Sequence, residues 1–183
     1  LPFIESLIRY SDVVELKEGV DYRYRSLQKM DLFYFPLTDA AFRGVSKCFD
    51  QFAIYDVKSA GYLTVNSRAI PYIKVSREAV WFDFGIICGA GRSQRDYLFL
   101  AREFHAVFVT DIKVCGSGDD DLARRFINMV DVFYDHGVKL IATADTQPHG
   151  LYEGTRLGFE FERTSSRLQE MQTRSYLKRQ HRV

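Results

Sequence analysis

The chain has 183 residues, of which 46% are hydrophobic and 15% aromatic, so it can bury one substantial core. Its formal net charge of +1 argues against both a generally basic nucleic-acid-binding protein and an acidic tail protein. The three cysteines are widely separated and no CxxC or HExxH motif occurs, which excludes a zinc site or disulfide framework of the usual spacing and favours a cytoplasmic compartment. No apolar run reaches the roughly 18 residues of a membrane-spanning helix, so no transmembrane segment is predicted.

The chain opens on LPFIESLIRYSDVVEL, where the apolar residues of the first eight positions fall on one helical face. No capping residue precedes them, which predicts a helix without its beginning and hence a fragment of a longer protein. A short strand, DVVEL, ends in a turn at Gly19. The following GVDYRYR places Asp21, Arg23 and Arg25 just after this strand, where an arginine can pair with phosphate, or where the segment can be a turn with a local Asp–Arg pair. The residues alone leave both interpretations open.

The next stretch predicts a helix followed by hairpin-like strands. Thr38 is a suitable N-cap for a helix whose aromatic and apolar residues, from Phe42 to Phe52, recur at spacings of three and four. The runs YLTV, AIPYIKV and AVWFDF, separated by NSR and SRE, predict antiparallel strands. Pro71 predicts that the middle strand is an edge strand or a short one.

From Ser93 onward the pattern changes to alternating helices and apolar strands. Ser93 and Asp96 predict a capping box that opens a helix through Phe104. The strand HAVFVTDI, an amphipathic helix ending at Gly137 and the strand VKLIATA predict a parallel, right-handed βαβ unit. Ser166 and Gln169 predict a second capping box that opens the final helix, with Leu168 and Met171 facing the core. The predicted fold class is therefore α/β (mixed α+β), with flanking helices.

Two loops are candidate ligand sites, and each has a simpler structural interpretation. CGAGRSQRDY (88–97) places Arg92 and Arg95 beside a helix N-terminus, as an anion site does, but no parallel strand clearly precedes it. A capped helix after a tight glycine turn explains the same residues. GSGDDDLARRF (116–126) carries consecutive aspartates that could hold a divalent cation, yet acids in the first turn of a helix simply complement its dipole. Of Arg124 and Arg125 in that helix, one is predicted to point away from the core, onto a solvated face or toward a partner.

The C-terminal stretch is basic: from residue 163 to 183, six arginines and lysines face one glutamate, a local balance of +5. This segment could bind nucleic acid or contact an anionic membrane surface peripherally, with an affinity that falls steeply as salt rises. Specific nucleic-acid binding is not predicted, because exposed aromatic residues beyond Tyr176 are not interleaved with the basic ones. The basic residues alone assign no ligand.

Several segments of the sequence closely resemble one protein family. LPFI, DVVEL, GVDYR, RSQRDYLFLAREFHAVFV, ARRFINMVDVFYDHGVKLIATA and FEFERTSSRLQEMQ are similar, in this order, to the C-terminal half of the AFG/ZapE family of AAA+-type P-loop ATPases. The resemblance runs from residue 1 to about 180 and is closer to the bacterial branch. GAG at 89–91, where many members have Gly-Gly-Pro, is a departure.

The resemblance implies that residues 1–25 end a truncated ATPase core and that residues 26–183 form a C-terminal α/β domain. The parent would use ATP and Mg²⁺ to remodel a partner at the bacterial division ring, as a homo-oligomer, whereas this chain lacks GxxxxGK[ST] and is expected to be inactive alone. Arg23, Arg163 and Arg167 match family motifs and are candidate nucleotide or subunit contacts. The alternative function is a non-catalytic interaction module that recruits division machinery.

Overall fold

A computed structural model describes residues 27–28, 30–53 and 55–182. Within them, six strands form one mixed sheet in the order β1-β6-β5-β4-β3-β2. The strands are β1 (Phe33–Tyr34), β2 (Lys58–Val65), β3 (Arg68–Val75), β4 (Ala79–Asp83), β5 (Ala106–Ile112) and β6 (Lys139–Ala144). Strands β1, β6, β5 and β4 are parallel, whereas β2, β3 and β4 pair antiparallel. The predicted α/β class, the parallel unit and the antiparallel hairpin are confirmed.

Helices flank both faces of this sheet. They are α1 (Asp39–Phe52), α2 (Phe84–Ile87), α3 (Gln94–Glu103), α4 (Asp120–His136), α5 (Gly158–Glu170) and α6 (Arg174–Leu177), with a short 3-10 helix at Pro148–Gly150. The predicted caps of α1 and α3 are confirmed: Thr38 accepts a hydrogen bond from the Ala41 N–H, and Ser93 and Asp96 form the capping box. Helix α4 ends at Gly137, which has a left-handed φ of 70°, as predicted.

The central strands bury side chains on both faces, which explains their continuous apolar sequences. In β4, Trp81 belongs to the cluster under α1, whereas Val80 and Phe82 belong to the larger cluster under α3, α4 and α5. In β5, Phe108 belongs to the cluster under α1, and Val107 belongs to the larger cluster. The sheet therefore has α1 on one face and α3, α4 and α5 on the other.

Two sequence predictions about the bounds and positions of single elements are wrong. Helix α5 begins at Gly158, not at Ser166, whose hydroxyl donates to the Glu162 carbonyl inside the helix at 3.1 Å. Hydroxyl residues that bond back to the preceding turn need no cap, so the Ser-x-x-Gln pattern is misleading here. Strand β3 is neither an edge strand nor short: it has eight residues and lies between β2 and β4. Pro71 is tolerated because β4 pairs with β3 only at Lys74 and Val75, away from the proline.

The C-terminal segment (residues 173–182) lies across the amino ends of the parallel strands. Lys139, the first residue of β6, is fully buried, and its Nζ donates to the carbonyls of Gly137 at 2.7 Å, Tyr176 at 3.3 Å and Arg179 at 2.7 Å. The Arg182 N–H donates to the His136 carbonyl at 2.9 Å. A buried ammonium group therefore ties the end of the described chain to the start of β6.

The initial helix, the DVVEL strand and the GVDYR turn lie outside the described residues. The division of the chain at residue 25 is not tested and stays a prediction. No helix among residues 27–28, 30–53 and 55–182 has the length and apolar character needed to span a bilayer.

Candidate functional site at the carboxyl ends of the parallel strands

A cleft of about 420 Å³ opens where the parallel strands end. Strand β1 leads into α1 on one face of the sheet, whereas β5 leads into α4 on the other face. Chain connections that diverge to opposite faces leave a crevice at the carboxyl edge, which is where open α/β sheets bind ligands. The cleft is lined by Leu37, Thr38, Asp39, Phe42, Ile73, Asp83, Thr110, Asp111 and Thr143.

A β-bulge in β5 shapes the centre of the cleft. The register of β5 against β6 shifts between Val109 and Ile112, and Asp111 adopts a positive φ of 69°. The Asp111 N–H donates to the Thr143 hydroxyl at 2.9 Å, so a side chain replaces the missing ladder partner. The carboxylate of Asp111 is thereby turned outward, with half of its side chain exposed.

The floor of the cleft is fixed by a buried aromatic residue. Trp81 is 1% exposed, and its indole N–H donates to the Thr110 hydroxyl at 3.0 Å. The ring of Phe42 lies over Trp81 with centroids 5.2 Å apart, although Phe42 itself is 48% exposed. Helix α1 thus supplies an aromatic wall that remains accessible to a ligand or partner.

The cleft is acidic. Its lining includes Asp39, Asp83 and Asp111, and no basic residue among the described residues that form it. Lys113, just beyond β5, pairs with Asp111 at 2.9 Å, and this hydrogen bond raises the pKa of the lysine. Electrostatics of this kind favour a cationic group over an anionic one.

This cleft does not fit a nucleoside triphosphate. A phosphate-binding loop would connect a parallel strand to the helix that follows it, and β1 and α1 have that relationship. The connection here is FPLT (35–38), which supplies neither glycines to bring the backbone close to phosphates nor a lysine to neutralise them. In addition, the surrounding aspartates repel phosphate. No group of three or more His, Cys, Asp or Glu side chains in this part of the chain is arranged to hold a metal ion.

Comparison with known proteins identifies the family. The family model described as AFG1-like ATPase matches residues 1–180. This chain belongs to the AFG1-like ATPase family. It is 38% identical over 181 residues to Cell division protein ZapE of Escherichia coli K12, an alignment that covers 99% of this chain and 48% of ZapE.

Two eukaryotic members are more distant. Lactation elevated protein 1 homolog B of Danio rerio is 28% identical over 211 residues, covering 96% of this chain and 42% of the relative. Uncharacterized protein C115.02c of Schizosaccharomyces pombe is 29% identical over 210 residues, covering 97% and 46%. This AFG1-like chain therefore spans about half the length of its curated relatives. No solved structure matches it.

The family word RSQRDY forms a structural cluster in this AFG1-like chain. Asp96 is fully buried and accepts hydrogen bonds from the Ser93 N–H at 2.8 Å and from Arg68 Nη2 at 2.7 Å. Arg68 also donates to the Gly91 carbonyl, and Arg92 donates to the Ile86 carbonyl at 3.2 Å. The capping box and the internal contacts of Arg92 agree with the capped-helix interpretation of residues 88–97, whereas Arg95 is exposed. The expectation that no parallel strand precedes this loop is wrong, since β4 is parallel to β5.

The aspartate-rich loop is also held by internal contacts. Asp119 accepts from the Gly116 N–H at 2.9 Å, and Asp120 accepts from the Tyr152 hydroxyl at 2.7 Å. Asp120 and Asp121 lie in the first turn of α4, where they complement its dipole. Further along α4, Arg124 is exposed while Arg125 donates to the Cys88 carbonyl at 2.6 Å, so one of the two points away from the core as predicted.

Arg163 and Arg167 come together on α5 and share one carboxylate. Arg163 Nη2 lies 2.7 Å from Asp131 of α4, and Arg167 bonds the other oxygen of the same carboxylate. The Arg167 guanidinium also lies over the Tyr134 ring, 4.8 Å from its centroid. Neither arginine lines the acidic cleft. Their nucleotide or subunit contact stays a prediction, and Arg23 lies outside the described residues.

Three features of functional interest were not predicted from the sequence: buried Lys139, the Asp131 carboxylate shared by the arginines, and the acidic cleft. The sequence did contain an indication of the cleft. Asp83 and Asp111 each stand at the end of a predicted strand, and the carboxyl ends of parallel strands share one edge. Lys139 had no such signal, because its acceptors Tyr176 and Arg179 lie 37 and 40 residues further along.

Proposed function

We propose that this chain is the C-terminal half of an ATP-hydrolysing protein and that this half is a non-catalytic α/β domain. The family match over residues 1–180 carries the proposal, together with the 48% of ZapE that the aligned region spans. The parent would bind ATP and Mg²⁺ through residues upstream of Leu1 and act on a division-ring protein in the bacterial cytoplasm. Residues 1–25 would end the ATPase core, and Arg23, Arg163 and Arg167 would contact nucleotide or a neighbouring subunit of a homo-oligomer.

The purified 183-residue chain is expected to release no phosphate from ATP above background. Phosphoryl transfer requires a phosphate cradle and an arranged set of metal ligands, whereas FPLT (35–38) offers no cradle and the described residues hold no metal-binding group of carboxylates. A colorimetric phosphate assay with and without Mg²⁺ measures this, with the longer protein that includes the upstream residues as the active comparison.

The matched control is Asp111→Asn, which removes a carboxylate from the cleft. The activity of a contaminating enzyme would be the same in both preparations. Turnover that requires Mg²⁺ and is lost in this variant would show that the chain is itself an ATPase. Turnover that is equal in both proteins would not involve the cleft, and it would come from a contaminant only if it separated from the chain on gel filtration.

The second candidate is an interaction module that recruits division machinery without hydrolysis. The accessible aromatic residues at the carboxyl edge favour it: Phe35 is 49% exposed and Phe42 is 48% exposed. Exposed aromatic rings beside charged residues are typical of protein-binding surfaces. Pull-down of a division-ring protein by this chain, compared with the upstream half, distinguishes the candidates. Capture by the upstream half alone would reject the module.

A further inference from the structure

Two histidines that are far apart in the sequence meet at the amino edge of the sheet. His105 directly precedes β5, and His181 lies near the end of the C-terminal segment; their ring centroids are 4.3 Å apart and their planes are inclined at 43°. The backbone of His105 belongs to the sheet, since its N–H donates to the Glu78 carbonyl and its carbonyl accepts from the Lys139 N–H, both at 2.9 Å. His105 is therefore fixed, whereas His181 keeps its place only while the C-terminal segment does.

The site around His181 suits the neutral form of its ring. Nε2 lies 2.5 Å from the Ala101 carbonyl of α3, and a carbonyl only accepts hydrogen bonds, so the proton of the neutral ring is on Nε2. Nδ1 is buried and has no hydrogen-bond partner among the described residues. A second proton, on Nδ1, would therefore create a charged donor that neither the described part of the protein nor water accepts from.

The charged and titratable groups near His181 do not compensate for such a charge. In the elements that meet at this edge they are His105 before β5, His136 of α4, Lys139 of β6, Arg102 and Glu103 of α3, Glu78 in the turn before β4, and Arg179 and Arg182 of the segment itself. Lys139 and His136 both oppose a positive charge on His181, and no carboxylate within the described residues forms an ion pair with it. Protonation of His181 is therefore disfavoured while the segment is in place.

We propose that the contact between His181 and α3 is an acid-sensitive closure, in which protonation of His181 releases residues 180–182 from the amino edge of the sheet. The release ends at Arg179, because Lys139 stays charged in acid and continues to donate to the Arg179 carbonyl. This inference goes beyond the proposed function, since it requires neither ATP nor a division protein.

The released residues cover a close-packed part of the edge. A Cβ atom on Gly137 would lie 2.6 Å from the Gln180 carbonyl oxygen, so the segment lies directly on the end of α4. The Arg182 N–H and the His181 ring donate to the carbonyls of His136 and Ala101. Release therefore exposes two backbone acceptors and the last turn of α4 to solvent.

The pH range of the release follows from the surroundings of His181. Burial, together with the charges of Lys139 and His136, lowers the pKa of His181 below its ordinary value of 6.5, although the hydrogen bond to Ala101 acts in the opposite direction. The released ring consequently binds a proton more readily than the buried ring. The contribution of His181 to closure is complete well above pH 6.5 and is lost as the pH falls below it.

Solvent exchange of the Arg182 amide, measured by NMR on the 183-residue chain, tests the proposal. This N–H donates to the His136 carbonyl at 2.9 Å while the segment is closed. Relative to an unstructured peptide at the same pH, its exchange is expected to be about three- to tenfold faster at pH 5.5 than at pH 7.5. The amides of β5 should show no such change, because they exchange only when the core opens.

His181→Gln should abolish the pH response, because the glutamine amide can donate to the Ala101 carbonyl but takes up no proton. The matched control is His149→Gln, the same change at an exposed histidine, which should respond like the wild type. An unchanged exchange ratio in the wild type, or a full response in His181→Gln, would overturn the proposal.

The imidazole nitrogen resonances of the wild-type chain decide the question without any substitution. They should show the proton of His181 on Nε2 at pH 7.5 and a second proton only below pH 6.5. A His181 ring that becomes charged above pH 6.5 would reject the proposal equally, since the closed segment would then favour the charged form.

Discussion

Lys139→Met will lower the free energy of unfolding by about 2–4 kcal/mol at pH 7 and release the C-terminal segment. Methionine leaves the carbonyls of Gly137, Tyr176 and Arg179 without the donor they share. Removal of the buried charge returns part of its desolvation cost, so the loss is smaller than three separate hydrogen bonds would suggest. Urea denaturation measures the stability, and trypsin cleavage after Lys178 or Arg179 reports the released segment.

The matched control is Lys178→Met, which makes the same chemical change at an exposed lysine of the same segment. Surface substitutions of this kind shift stability by about 0.5 kcal/mol or less. If Lys139→Met were as stable as this control, the ammonium group would not be holding the segment in place. A stability loss without faster cleavage would show that Lys139 supports the strand alone.

The stability difference between the wild type and Lys139→Met depends on pH. Burial, with a smaller contribution from the charge of Arg179, lowers the pKa of Lys139 to about 8 from its ordinary value of 10.5. Between these two values the unfolded chain binds more protons than the folded chain, so the contribution of Lys139 to stability rises with pH. The stability difference between the wild type and Lys139→Met should therefore widen from pH 8 to pH 10. Burial raises the pKa of the thiols of Cys48 and Cys115. The free energy of unfolding of both proteins therefore falls by the same amount above pH 9, and this change cancels in the difference between them.

Asp96→Ala will cost about 2–3 kcal/mol, the second largest effect expected. The substitution removes the capping box of α3 and the buried partner of Arg68, whose nitrogen lies 2.7 Å from the carboxylate. The Arg68 side chain is 42% exposed and can hydrate after the loss, which keeps the cost below that of breaking a fully buried pair. Thermal unfolding followed by circular dichroism measures the change.

Asp121→Ala is the control for this substitution, because Asp121 also lies in the first turn of a helix but is exposed. Its loss should stay within about 0.3–1 kcal/mol, the usual contribution of a charge near a helix end. Equal losses in the two variants would mean that Asp96 acts only on the helix dipole. The family word RSQRDY would then lack the structural role that its contacts indicate.

The regular elements of the sheet and of α1, α3 and α4 were predictable because each pattern is local. Apolar runs without alternation predicted β5 and β6 as strands buried on both faces, and Gly137 predicted the end of α4. The sequence of helix α5 contains a helical pattern of apolar residues, but the hydroxyl residues within it resemble a helix start and led to the wrong first residue. Leu157, Phe161 and Leu168 are buried at helical spacing, and the turn between them carries the buried Thr164 and Ser165.

The site was less predictable than the fold, because its geometry depends on distant residues. The bulge that turns Asp111 outward follows from the pairing of β5 with β6, and no single residue in VFVTDI encodes it. Arg163 and Arg167 were recognised by their motif, yet their shared carboxylate lies 32 and 36 residues earlier on another helix. Motif spacing identified which residues matter, and tertiary packing decided what they touch.

Lys139 also imposes an order on the biosynthesis of this domain. The ribosome adds Tyr176 and Arg179 after a further 37 and 40 residues, so of its three carbonyl acceptors only Gly137 is present when β6 emerges. The amino edge of the sheet can therefore close only after the C-terminal segment has left the exit tunnel. A nascent chain arrested before Thr173 therefore lacks two of the carbonyl groups to which Lys139 donates.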